Sequence, residues 1–126
     1  MTNSGGVPGT QYRVLVVDDD PDVLESLQMM LEDTFHVTVA SGGLEALTQI
    51  STTAFDAIVL DLMMPDIDGG AVIQELRKRS VTTPVILLSA VSDLRQRARQ
   101  LDVFDAESKP IDIERLQRTI ERAIES

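Results

Sequence analysis

The chain has 126 residues, enough for one domain around one core and too few for two ordinary ones. It carries no cysteine and a single histidine, His36, which excludes disulfides, thiolate chemistry and sites built on several imidazoles. With 21 acidic against 11 basic residues, the net charge of −10 opposes direct binding to nucleic-acid backbones.

Residues 1–10 (MTNSGGVPGT) are rich in Gly, Ser, Thr and Pro without apolar periodicity and read as a disordered leader, with the folded domain at 11–126. They have neither the basic start nor the apolar stretch of a secretory signal. The longest aliphatic runs are four residues, far below the roughly 20 that span a bilayer. A cytoplasmic protein with no membrane partner is expected. From Tyr12 onward, short aliphatic runs alternate with stretches of helical periodicity. Strands are predicted at 14–17, 57–60 and 85–88, solid apolar runs that suit parallel strands covered on both faces, and at 36–39 and 103–107, more polar and suited to edges. His36, opening the second strand, reads as a surface residue.

Between the strands, apolar residues recur at helical spacing. The stripes are Val23, Leu24, Leu27, Met30 and Leu31; Leu44, Leu47 and Ile50; Val72, Ile73 and Leu76; Leu94, Ala98 and Leu101; and Ile113, Leu116, Ile120 and Ile124. Met29 and Met30 read as core or core-edge packing rather than as part of a cofactor site. Strict βα alternation implies right-handed crossovers and an α/β fold, a doubly wound parallel sheet with helices on both sides. A closed eight-stranded barrel would need about 250 residues.

In such a sheet, ligands bind beyond the carboxyl ends of the strands. Asp18, Asp19 and Asp20 follow the first strand, Asp61 the third, Ser89 the fourth and Lys109 the fifth. Carboxylates gathered in one cleft repel one another unless a cation intervenes or a proton is taken up. Oxygen donors without His or Cys favour magnesium, or manganese, over zinc. A metal beside a carboxylate, with an ammonium and a hydroxyl nearby, makes a site suited to phosphoryl transfer, and Asp can accept the phosphoryl group. Asp20, Pro21 and Asp22 read instead as the cap of the first helix, and Asp66 and Asp68 as turn formers.

The segments VLVVDDDPDV, DAIVLDLMMPDIDG, VILLSA and SKP stand in the order and spacing of bacterial two-component response-regulator receiver domains, which the chain resembles from Tyr12 to Ser126. The resemblance implies a flavodoxin-like (βα)5 fold with strand order 2-1-3-4-5. It further implies Asp61 as phosphoacceptor, Asp19 as direct metal ligand, Asp18 as a ligand largely through water, and the Met63 carbonyl as another. Ser89 becomes the switch hydroxyl, Lys109 the amine paired with the phosphate, and Lys109-Pro110 a candidate cis bond. The implied partner is a histidine kinase or phosphotransfer protein, the implied cofactor Mg2+ (or Mn2+). Such a protein catalyses its own phosphorylation and dephosphorylation rather than acting as a free-standing enzyme, and an output partner is expected on the face of the fourth helix, fifth strand and fifth helix. Arg95, Arg97 and Arg99 on that fourth helix read as solvated charge.

Two features depart from the family pattern. Ala106 stands three residues before the lysine, where most receivers carry Tyr or Phe, and Asp102-Val103 stands where Gly-Ala is usual. Phe104 lies two residues from Ala106, on the same face of an extended strand but at a different depth. Altered switching is therefore expected, and a receiver-like interaction module is the alternative. A haloacid-dehalogenase-type phosphatase normally needs an acid where Met63 stands, and three aspartates after the first strand would repel a flavin phosphate.

Overall fold

The computed structural model describes residues 11–126, so the expected leader at 1–10 lies outside the described residues. Strands and helices alternate throughout: β1 (Arg13–Val17), α1 (Pro21–Leu31), β2 (His36–Ala40), α2 (Gly43–Thr52), β3 (Ala57–Asp61), α3 (Gly69–Lys78), β4 (Val85–Ser89), α4 (Leu94–Leu101), β5 (Asp105–Ser108) and α5 (Ile113–Glu125). All strand pairings are parallel, in the order β2-β1-β3-β4-β5. Strand order therefore reverses beside β1, and the crevice at the carboxyl ends of β1 and β3 is the switch point where such sheets bind ligands.

Solid aliphatic strands arise because both sheet faces are covered. Val14, Val16, Ala57, Val59, Ile86 and Leu88 pack against Leu24, Leu27 and Leu31 of α1 and Leu116 and Ile120 of α5. Their alternates, Leu15, Val17, Ile58, Leu60 and Leu87, pack against Leu47 of α2, Val72, Ile73 and Leu76 of α3, and Leu94 of α4. Burying each large aliphatic side chain stabilises the fold by about 1.5–3 kcal/mol, which fixes the strand tips in register. Asp20 caps α1 by accepting from Asp22 N–H, with Pro21 in the first turn, as expected. Asp68 and Asp112 cap α3 and α5 in the same way. Among the described residues, no helix is long and apolar enough to cross a membrane.

Several expectations need correction. Asp61 and Ser89 are the last residues of β3 and β4 rather than the first beyond them. β5 begins at Asp105 instead of 103, because Asp102 adopts a left-handed conformation (φ 56°) and Val103 N–H turns back to the Ala98 carbonyl at 3.4 Å, closing α4. Met29 and Met30 are 66% and 56% exposed. The inward stripe of α1 is Leu24, Leu27 and Leu31, and at about 100° per residue it leaves Met30 at the shoulder and Met29 on the solvent side. Leu44 is likewise exposed, since α2 turns Gly43, Ala46 and Leu47 inward. His36 is exposed as expected.

The turn from β3 to α3 closes tightly, with Gly69 N–H donating to the Leu62 carbonyl at 2.9 Å. A Cβ on Gly69 would lie 2.9 Å from both the Asp61 carbonyl oxygen and Leu62 Cα, main-chain atoms that cannot rotate away. Gly69→Ala is therefore expected to destabilise the domain by about 1–3 kcal/mol in chemical denaturation. An unchanged midpoint would show that the two segments part without cost.

Candidate functional site

Three strand tips meet at the carboxyl edge of the sheet. Asp18 follows β1 immediately and is fully buried, its main-chain N–H donating to the Ala40 carbonyl at 3.2 Å. Asp18 Oδ1 accepts from Asp20 N–H at 2.9 Å, which turns the chain toward α1. Asp61 is 4% exposed, and Lys109 sends its ammonium between the two carboxylates, 2.9 Å from Asp18 Oδ2 and 3.5 Å from Asp61 Oδ2. Asp19 is exposed and completes a cluster in which one carboxylate oxygen from each of Asp18, Asp19 and Asp61 lies within 4.8 Å of the others. The fold thus brings Asp18, Asp19, Asp61 and Lys109 to one place.

Ser89 and Met63 sit beside them. The Ser89 carbonyl accepts from Lys109 N–H at 2.9 Å, and its hydroxyl, buried, accepts from Val91 N–H at 3.2 Å. Met63 N–H donates to Asp61 Oδ1 at 3.2 Å. Lys109-Pro110 is cis, the geometry expected of it.

Burial first, and the Asp18 carboxylate second, push the Asp61 carboxyl above its ordinary pKa, against the smaller pull of Met63 N–H and Lys109. Burial alone would depress the Lys109 ammonium. Its hydrogen bond and attraction to Asp18, joined by Asp61, outweigh that and raise it. A site with three carboxylates and one ammonium keeps an excess of negative charge, and its all-oxygen donor set fits a hard divalent cation.

A family model for the response regulator receiver domain matches residues 14–121. The chain belongs to that family. It is 47% identical over 91 residues to transcriptional regulatory protein PrrA of Mycobacterium leprae, spanning 71% of this chain and 39% of that protein. It is 40% identical over 107 residues to response regulator MprA of Mycobacterium avium, spanning 82% of this chain and 47% of that protein. The chain therefore spans less than half the length of these relatives. Among solved structures, the receiver domain of the Francisella response regulator 1452 superposes with a TM-score of 0.85 at 34% identity, covering 90% of this chain and 97% of that one. This receiver domain is a module of two-component signalling, with the flavodoxin-like fold and strand order expected.

Its fifth strand bears out one expectation and holds a buried pair that sequence reasoning missed. Ala106 is buried while Phe104, outside β5, is 37% exposed, so no aromatic ring fills the inner position. On the opposite face Glu107, 7% exposed, accepts from the Thr119 hydroxyl at 2.7 Å and pairs with Arg115 at 3.1 Å. A threonine inside the apolar stripe of α5, between Leu116 and Ile120, was the legible signal for a buried polar partner. Asp66, expected as a turn former, instead accepts from Gly43 N–H at 3.2 Å and Leu44 N–H at 3.1 Å, across to the start of α2.

Because the folded state of this receiver domain holds a proton on Asp61 more tightly than the unfolded chain does, stability falls as pH rises from the ordinary carboxylate pKa through the raised one. The full penalty stands above that window. Lys109 adds a second fall, in alkali: its stabilisation is complete below the ordinary lysine pKa and is lost as pH rises through the raised value. Asp61→Asn is thus expected to melt above the wild type at neutral pH in metal-free buffer, each kcal/mol of relief adding roughly 3–6 °C in a domain of this size. The difference should vanish in acid. A variant that melts below the wild type at neutral pH would contradict the charge excess described for this cluster.

Proposed function

We propose that this domain, residues 11–126, takes a phosphoryl group onto Asp61 from the phosphohistidine of a histidine kinase or phosphotransfer protein, and serves as a signalling switch in the cytoplasm. One observation carries the reading: a buried carboxylate with an ammonium 3.5 Å away and two further carboxylates within 4.8 Å, from separate strand tips. An Asp61 oxygen attacks phosphorus as the P–N bond to the imidazole breaks, so that the bonding pair returns to the ring nitrogen and an acyl phosphate forms. Water later cleaves that acyl phosphate, so the domain catalyses its own loading and unloading. Lys109 is placed to bind a phosphoryl oxygen while keeping its bond to Asp18.

Asp18, Asp19, Asp61 and the Met63 carbonyl would hold a magnesium ion, with manganese as a second fit for the same oxygen donors. When bound, that ion would neutralise charge on the phosphoryl oxygens. Asp19, the exposed member, is the one that an ion arriving from solvent meets first. The Ser89 hydroxyl, now receiving Val91 N–H, would turn to donate to a phosphoryl oxygen and draw the loop after β4 inward.

Output follows an altered route, because Ala106 can neither fill nor vacate a pocket as a ring does. The face of α4, β5 and α5, where Asp105 lies 3.9 Å from Arg95 and 3.4 Å from Arg122, is the proposed surface for an output partner. The net charge of −10 opposes binding of nucleic-acid backbones by the domain as a whole.

Incubation with acetyl phosphate and Mg2+ is expected to give a phosphoprotein, resolved by mobility shift or intact mass, and Asp61→Ala is expected to give none. Equal labelling of that variant, or no labelling of the wild type, would refute the reading. Structures with and without beryllofluoride are expected to leave Phe104 outside the core. An inward swing of its ring would show that output runs by the usual aromatic route.

A further inference from the structure

The segment between Leu62 and Asp68 carries Met63, and its main chain is poorly tied. Leu62 N–H is anchored to the Leu88 carbonyl and Gly69 N–H to the Leu62 carbonyl, but among the described residues no main-chain bond joins residues 63–67 to another main-chain group. Pro65 has no N–H to offer. Met64 is buried in the core and Ile67 packs against it, and the polar anchor of the tip is the Asp66 carboxylate. Its two oxygens separately accept Gly43 N–H (3.2 Å) and Leu44 N–H (3.1 Å), and Oδ1 also takes Ile67 N–H at 2.7 Å.

The start of α2 is shaped to receive it. The N-cap position is Gly42, which has no side chain to satisfy the first-turn N–H groups, so Asp66 supplies the missing acceptor from the neighbouring loop. A Cβ on Gly42 would lie 2.8 Å from Asp66 Oδ2, and one on Gly43 would run into Ile67 Cγ2. The two glycines admit the loop, and the carboxylate fastens it. These N–H bonds also hold the Asp66 carboxyl below its ordinary pKa, that of Leu44 most strongly.

We infer that Asp66 is a positioning residue for the phosphoacceptor site: by clamping residues 63–67 to α2 it fixes Met63, whose N–H orients Asp61 and whose carbonyl serves as a cation ligand. This inference rests on the function proposed above for Asp61 and Met63. A loop freed at Asp66 would have to order itself each time the cation bound, so the clamp acts on metal affinity through Met63. Asp66 itself touches neither ion nor substrate.

The experiment titrates Mg2+ alone into the full chain by calorimetry and, in parallel, melts each variant without metal. Asp66→Ala is expected to bind Mg2+ about 10-fold more weakly, the scale seen when a group that orients a metal ligand is removed. Asp66→Asn, keeping one acceptor oxygen, should fall between the two, and it decides the question on the same readout if the alanine variant does not fold. Glu45→Ala is the control. Glu45 accepts Ser41 N–H at the same end of α2 without touching the 63–67 segment, so its loss lowers the melting temperature but leaves Mg2+ affinity unchanged. An unshifted Mg2+ affinity in the Asp66 variants, or an equal shift in Glu45→Ala, overturns the clamp. Failure of the wild type to bind Mg2+ at all would instead overturn the phosphoacceptor reading beneath it.

Discussion

The ammonium of Lys109 between two buried carboxylates is the interaction on which the site depends. Withdrawing an ion from water costs several kcal/mol even after relaxation, and Asp18 and Asp61 are both almost wholly withdrawn. One ammonium cannot balance them together with Asp19. The remaining negative charge is held in place by hydrogen bonds, from Asp20 N–H to Asp18 and from Met63 N–H to Asp61, rather than dispersed by side-chain motion. Such a cluster of fixed oxygen donors could hold a hard divalent cation without first rearranging.

Keeping that arrangement requires a scaffold that does not yield, and the parallel sheet supplies it. Asp18, Asp61, Ser89 and Lys109 come from four different βα junctions, separated by up to 91 positions in sequence. They converge because every strand runs the same way and ends at the same edge, in fixed register: Val17 beside Leu60, Asp61 beside Leu88, Ser89 beside Ser108. A slip of one residue would move every side chain of a strand into the opposite core layer, against helices packed for its neighbours, so the core that stabilises the fold also aligns the chemistry.

Much of this was legible in the sequence for a physical reason. Strands covered on both sides must be continuously apolar, so 14–17, 57–60 and 85–88 declared themselves, and polar residues at their ends marked the ligand edge. What failed to show were relations set by three-dimensional neighbours. Met30 satisfied helical spacing yet sits at the shoulder of α1, because the width of the buried stripe depends on what packs against it. Asp66 fitted a turn-forming role by composition, while its true partners, Gly43 and Leu44, lie 23 and 22 positions away. The start of β5 was displaced because a left-handed Asp102 ended α4 where propensity alone marks no stop.

The fifth strand joins these threads, since it leads directly into Lys109 and bears different chemistry on its two sides. Toward α4, small Ala106 leaves a groove of about 150 Å³ lined by Arg95, Ala98, Arg99 and Phe104 among others. Toward α5, Glu107 is bound by the buried Thr119 hydroxyl and by the half-exposed Arg115. Neighbouring Asp105 reaches Arg122, which itself donates to Thr119 at 3.1 Å. The strand is therefore tied to both helices: to α5 through Glu107, and to α4 through the Asp105–Arg95 pair and the packing of Ala106 in the cluster that holds Leu94. The buried Glu107–Thr119 bond stands directly behind Lys109 in sequence, so the same short strand that delivers the ammonium to the carboxylates is anchored by a carboxylate of its own.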